Sequence, residues 1–333
     1  MDKKELTRRR FIKQSALATA GLAAAARTAA GSGEPKANTS KILNYNPDME
    51  YRRLGKTGLM VSAVGLGGHS GAKQQQRNEI INRCLDIGIN FIDCTGDSEL
   101  HRDIKALGSR RNSVYLALSD TGRETREPDY RTADKLLTVL DDALSRAKLE
   151  YTDLWRITAY EPGGRHSFNT SCEMIEALEK AKKQGKTRCT GIASHDRRWF
   201  KFMIEYFPQL EVVLFPFTTM TKAAPRDSIF AALKKCDVGA FGIKPFAASS
   251  LFTGDQEQDD RRARLAIRYI LHSDTVIPIP GISKPREVDN LALAVKERRQ
   301  LDVKERAELE NAGRHTLAAL PAKYQWLRNW QYV

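Results

Sequence analysis

The feature that most constrains this chain is an alternation that begins near residue 64. Apolar runs of strand length (VGLGG, NFIDC, SVYLALS, DLWRIT, TRCTGIAS, EVVLFPF, VGAFGIKPF and TVIPIPGI) are separated by stretches with helical periodicity. Those stretches are EIINRCLDIG, ELHRDIKALG, TADKLLTVLDDALSRAKL, SCEMIEALEKAKKQG, RRWFKFMIEYF, RDSIFAALKKCD, DRRARLAIRYILHS and PREVDNLALAVKERR. Strict alternation predicts a parallel sheet covered on both faces, and eight such units favour an α/β fold closed as a (β/α)8 TIM barrel over an open doubly wound sheet. The open alternative needs a Gly-x-Gly-x-x-Gly turn after its first strand. GLGGHSG runs into AKQQQRNEI without that spacing.

Ahead of the alternation, YRRLGKTGLMV reads as an N-terminal hairpin, two short extended runs around turn residues. After it, Asp302 to Val333 reads as one helix followed by PAKYQWLRNWQYV, whose Tyr and Trp residues are expected to cap the floor or side of the barrel.

The formal net charge is +13, of which residues 1 to 33 supply an excess of 5 and the rest of the chain 8, a moderately basic surface. Residues 1 to 33 carry Lys3, Lys4, Arg8, Arg9, Arg10, Lys13 and Arg27 against Asp2 and Glu5. Elsewhere basic residues alternate with acidic ones on what read as solvated helix faces, a pattern that argues against nucleic-acid binding. The opening segment has a charged start, an Ala-rich stretch and a small-residue region, too weakly apolar for a spanning helix, so no stable membrane span is expected in the mature form. Thr7-Arg8-Arg9-Arg10-Phe11-Ile12-Lys13 resembles the twin-arginine export consensus, which implies the twin-arginine export machinery as a partner and a periplasmic or extracellular destination. The expected organisation is a signal peptide at 1–33, a lead-in linker at 34–50, the barrel at 51–301 and a C-terminal helix and tail at 302–333. The five cysteines, Cys84, Cys94, Cys172, Cys189 and Cys236, lie in or beside apolar runs and read as buried free thiols.

In a barrel of this kind the chemistry lies at the C-terminal ends of the strands. Those ends carry His69, Asp93 with Thr95 and Asp97, Ser119 and Asp120, Arg156 and Thr158, Ser194 and His195, Thr218, Lys244 and the loop after GIS. A metal-dependent hydrolase would need a His-x-His after the first strand. Gly67-Gly68-His69 has no such pair.

YRRLGKTGLMVSAVGLGG, NFIDC, DLWRIT, TGIASHD, GIKPFAASSLFTG and IPIPGISKPREVDNLALA together resemble, in order, the landmarks of the aldo/keto reductase family. The resemblance runs from Tyr51 to about Arg299 and implies a barrel that binds NADP(H) extended across its mouth. It also implies a tetrad of Asp, Tyr, Lys and His, in which Tyr protonates the carbonyl oxygen. Asp93 falls on the Asp position, whereas the other three positions carry Ser98, Ser119 and Thr158. An aliphatic hydroxyl cannot stand in for a phenol as an acid.

Two readings follow. In the first the barrel is an oxidoreductase acting on a carbonyl or hydroxyl compound, a sugar among them, with a substitute acid/base group. His69 leads the candidates, then His195 and His101, each of which has a structural role as its bland alternative. In the second the barrel binds a nucleotide or sugar without chemistry. Arg156 and Thr158 share a strand face, so if that face points inward the guanidinium requires a carboxylate; Asp93, without its usual Lys, is the expected partner. For the cofactor, the resemblance implies Lys244, Phe246, Ala247 and Ser249 or Ser250 near the phosphates, and Ile243 packed on nicotinamide with Ser194 at its carboxamide. It further implies Ser283, Lys284 and Arg286 around an adenosine 2′-phosphate and Asn290 at adenine, with the Pro285-to-Asn290 spacing one residue short of the commonest version.

Overall fold

The structure, a computed structural model, describes residues 39–68, 71–120, 122–159 and 166–333. The twin-arginine stretch and His69 lie outside these residues. The chain opens with an antiparallel hairpin, β1 (Tyr51–Arg53) and β2 (Met60–Ser62), in the register Tyr51 to Ser62. Its turn closes on Gly58 in a left-handed conformation, and a Cβ at Gly55 would lie 2.2 Å from the backbone nitrogen of Gly239. Only glycine permits that approach, which seats the hairpin under the start of the barrel and puts Leu54, Leu59 and Val61 into the core.

Seven parallel strands follow in sequence order: β3 (Phe91–Cys94), β4 (Tyr115–Leu118), β5 (Thr152–Ala159), β6 (Thr187–Ser194), β7 (Val212–Pro216), β8 (Gly239–Ile243) and β9 (Val276–Pro278). The run VGLGG, expected as a full strand, forms instead single bridges from Leu66 to Ile92 and from Gly67 to Gly281. These bridges still join the two sheet edges. Gly65 donates to Pro278 O and Gly67 to Pro280 O on one side, while Leu66 donates to Phe91 O and Asp93 to Leu66 O on the other. At Gly67 a Cβ would lie 2.3 Å from Ile279 O, so that one position must be glycine, whereas Val64 and Leu66 of the same stretch bury their side chains. The barrel interior is filled by Phe91, Ala117, Leu154, Ala193, Leu214, Phe241 and Ile277, with Phe91 and Phe241 stacked at 4.1 Å.

The helices are α1 (Gln74–Asp86), α2 (Asp97–Leu107), α3 (Ala133–Ala147), α4 (Phe168–Lys183), α5 (Arg197–Tyr206), α6 (Ile229–Cys236), α7 (Gln256–Leu271), α8 (Pro285–Lys296) and α9 (Val303–Ala319). Each expected helical stretch is present, several of them starting earlier than their apolar pattern. In α3 the buried set Leu136, Leu137, Leu140, Ala143, Leu144 and Ala147 recurs at three- and four-residue steps, and each large aliphatic side chain so buried contributes about 1.5–3 kcal/mol. Ser167, Asp196 and Asp255 accept N–H groups at the starts of α4, α5 and α7.

Two segments depart from expectation. Residues 39–50, read as part of a linker, are packed: Ile42 and Met49 are buried, and Asn44 Nδ2 donates to Leu85 O and Ile89 O. Tyr51 Oη, bonded to Asn44 O and Gly88 O, fastens the same stretch to the end of α1. The C-terminal tail lies over the barrel mouth and not its floor or side, because the hairpin already fills the floor and the tail aromatics find partners at the strand ends. The cysteines are all free thiols; Cys84, Cys94 and Cys189 are buried, and Cys172 and Cys236 only partly so.

Candidate active site

The C-terminal ends of the strands surround a cavity of about 240 Å³. Asp93, Thr95, Arg156, Ile243, Lys244 and Tyr324 are among its lining residues, drawn from four separate parts of the chain. A larger cleft of about 520 Å³ lies at the opposite end of the barrel, beside Lys56, Leu178, Lys182 and Leu210. Volume does not decide between them. The strand-end cavity is where convergent polar groups lie, which makes it the candidate site.

At its wall Arg156 and Asp93 form a two-pronged ion pair, Nε to Oδ1 at 2.9 Å and Nη2 to Oδ2 at 2.8 Å, with both side chains 3% exposed. Arg156 Nη1 also donates to Thr158 Oγ1 at 3.1 Å. The pairing follows from the strand's two-residue period, which turns positions 156 and 158 to one face, and from register, which sets β3 one strand beyond β4. The fork geometry matches a planar guanidinium to a carboxylate.

Behind this pair lies Glu124, which the sequence reading overlooked. It is 2% exposed, and its two oxygens accept the backbone N–H groups of Asp120 and Thr158 at 3.0 and 2.8 Å. Burial pushes its carboxyl up to about 7, against the opposing pull of Arg156 and the N–H donors. Nothing in the loop TGRETREP marks Glu124 as buried. Its position depends on contacts with β5 that are remote in sequence.

The remaining sequence candidates separate. His195, after β6, lies under Trp326 with ring centroids 3.6 Å apart, and Trp330 Nε1 donates to its backbone oxygen at 3.0 Å. Burial, with smaller contributions from Lys244 and Arg126, drops the His195 imidazole to about 3, so it is neutral near pH 7. His101 is on the outer face of α2, its ring nitrogens against Asp97 O and Arg146 O. Ser98 is exposed on the first turn of α2. Ser119 and Thr158 are fully buried, and Ser119 Oγ has no hydrogen-bond partner among the described residues.

The segment after β8 is strained. Lys244 has φ +55°, and Ala247, Ala248 and Ser249 follow in succession with φ of +48°, +55° and +69°. Left-handed conformations in such residues cost of order 1–3 kcal/mol each and gather at ligand sites. Successive N–H groups turned this way form a concavity suited to an anion. Phe246 packs against Phe252, while Lys244 Nζ stands 5.6 Å over the ring of Tyr324. Burial, with the neighbouring Lys323 charge, lowers the Lys244 ammonium below its ordinary range.

The loop after β9 is engaged within the protein. Glu287 Oε2 accepts the N–H groups of Ser283 and Lys284 at 2.8 and 3.2 Å. Arg286 pairs with Asp260 at 2.7 Å, and Asn290 donates to Asp260 O while accepting from Arg264. Ser194 Oγ likewise accepts from Asp196 N. Among the residues named for a dinucleotide, then, Ile243, Lys244, Phe246, Ser249 and Ser283 line the cavity. Arg286, Asn290 and Ser194 are held by neighbours.

Comparison with known proteins places this geometry. L-galactose dehydrogenase from Arabidopsis thaliana is 28% identical over 218 residues, covering 61% of this chain and 67% of that protein. Other curated relatives are matched over about half of their length. An aldo-keto reductase from Bacillus halodurans, in its holo form, superposes with a TM-score of 0.63 at 22% identity, covering 83% of this chain and 99% of that one. An aldo-keto reductase from Klebsiella pneumoniae in complex with NADPH superposes with a TM-score of 0.60 at 17% identity, over 79% of this chain and 94% of that one. At these identities the two structures speak to the fold alone. The sequence profile of the Aldo/keto reductase family matches residues 63–264, more than half of the chain. By that match, over the barrel that carries Asp93, Arg156 and Lys244, this chain belongs to the aldo/keto reductase family.

Proposed function

We propose that this protein is an exported oxidoreductase that uses NADP(H) on a carbonyl or hydroxyl compound, with an acid/base group other than the family's tyrosine. The observation that carries the reading is the Asp93–Arg156 pair in the wall of the strand-end cavity. A buried ion pair is weak as a source of stability, since apolar residues of similar volume serve a core as well or better. Its presence beside a cavity supports a role in holding polar ligand atoms. Arg156 keeps guanidinium N–H groups at the cavity and Asp93 fixes their direction, an arrangement suited to a carbonyl or hydroxyl oxygen.

A bound nicotinamide dinucleotide supplies or accepts the hydride. The residues that would hold it are Lys244 and the backbone of Ala247, Ala248 and Ser249 at its phosphates, with Ile243 against the nicotinamide ring. The strained left-handed turn is the feature of this chain that fits such a group. At the adenosine end the fit is poorer. A 2′-phosphate must displace the Glu287 carboxylate from the N–H groups of Ser283 and Lys284 and draw Arg286 from Asp260. A barrel that binds a sugar without chemistry is the second reading, and these engaged donors are the observation in its favour.

A sugar substrate is supported by the likeness to L-galactose dehydrogenase. Export is supported by the run from Thr7 to Lys13, and a cofactor loaded before export would account for that route. The deciding assay incubates the purified chain with a panel of aldoses and simple aldehydes, and follows NADPH or NADH absorbance, with the reverse reaction on sugars and NADP⁺ or NAD⁺. Turnover that falls in Arg156→Met supports the first reading. Sugar binding by calorimetry without turnover in either direction supports the second.

A further inference from the structure

Reduction of a carbonyl needs a proton donor at the substrate oxygen, and the cavity lining limits the choice. The hydroxyls of Thr95, Ser249 and Ser283 are weak acids. Arg156 does not release its proton and is committed to Asp93. His195 lies under Trp326 and not in the lining. Among the described lining residues this leaves the Lys244 ammonium and the Tyr324 phenol, which adjoin each other.

We propose that Tyr324, brought to the barrel mouth by the C-terminal segment, is the proton donor to the substrate oxygen, with Lys244 positioned at its ring. The inference rests on the reading of this cavity as a reductase site. Tyr324 lies outside the (β/α) units, so the role of the missing strand-end tyrosine passes to a residue from the tail. Its hydroxyl has no hydrogen-bond partner among the described residues, which leaves it available to a ligand.

The tail is held firmly enough to position a reacting group. Before Tyr324, Leu320 is buried against Ala247; after it, Leu327 joins the same cluster. Trp330 is 1% exposed and stacks on Phe215 at 5.9 Å. The last residue, Val333, is fully buried, donating to Lys222 O and accepting from Ala224 N and Ser228 Oγ. Anchors on both sides of a side chain restrict where it can go.

The step balances as follows. The carbonyl carbon gains a hydride, with its electron pair, from a reduced nicotinamide dinucleotide; the C=O π pair moves to oxygen, and that oxygen takes the Tyr324 Oη proton. The phenolate regains a proton from solvent, and the products are the alcohol and the oxidised dinucleotide.

Tyr324→Phe removes the hydroxyl and keeps the ring. It should lower the rate of aldehyde reduction by about 100-fold or more, the lower end for a lost general acid, with NADPH affinity by fluorescence titration within about twofold of wild type. A readout independent of turnover is 3-fluorotyrosine at position 324 in the NADP⁺-loaded protein. Its ¹⁹F resonance should move when isobutyramide, a carbonyl compound that is not reduced, is added. An active wild type with Tyr324→Phe equally active, or a ¹⁹F resonance that does not respond to isobutyramide, overturns the assignment. Loss of rate in His69→Ala but not in Tyr324→Phe would move the role to His69. A wild type that neither binds nucleotide nor reduces any aldehyde would sink the reductase reading itself, and this assignment with it.

Discussion

Removing either partner of the Asp93–Arg156 pair strands a charge inside the barrel. Asp93→Ala should therefore lower unfolding stability by about 3–5 kcal/mol in urea melts, whereas the double change Asp93→Leu with Arg156→Met should recover much of that loss. Equal stability for Asp93→Ala and wild type would mean the pair is solvated. This pair was legible in the sequence, because strand period turns Arg156 and Thr158 to one face and a buried guanidinium requires a carboxylate. Glu124 was not legible, since a loop carboxylate is buried only by contacts that folding brings from elsewhere. Its consequence is a pH dependence. With its carboxyl raised from an ordinary 4.5 to about 7, the folded chain holds a proton that the unfolded chain releases. The associated stability is fully present below about pH 4.5 and is lost as pH rises through about 7. Glu124→Gln should flatten that part of the stability profile, measured by chemical denaturation at a series of pH values; an unchanged slope would mean that Glu124 ionises normally.

Among the elements, the alternation of strands and helices was visible because it is written in local periodicity. What escaped it was set by nonlocal packing: VGLGG pairs through two single bridges to the neighbouring sheet edges, and the tail crosses the mouth because its aromatic side chains meet partners there. The tail also governs His195. Trp326 shields the imidazole, whose drop from 6.5 to about 3 gives stability that is present above about pH 6.5 and lost as pH falls toward 3. Trp326→Ala should admit water and raise the His195 midpoint by at least about one unit, read by NMR titration of its ring protons. A midpoint unmoved by that change would show that the strand end alone buries the ring.

For the whole molecule, fold and chemistry have different sources. The barrel and the position of its strand-end cavity follow from the chain's repeated pattern, and its family from the profile match over residues 63–264. The proposed chemistry rests instead on particular groups, at Arg156, at the turn from Lys244 to Ser249 and at Glu287, and not on the architecture. The most direct test is a fluorescence titration of the nucleotide-free protein with NADPH and, in parallel, NADH. A functioning dinucleotide barrel gives saturable binding near one nucleotide per chain, weakened about tenfold or more in Lys244→Met as a phosphate contact is lost. No saturable signal with either nucleotide would contradict the oxidoreductase reading and leave a barrel that binds without redox chemistry.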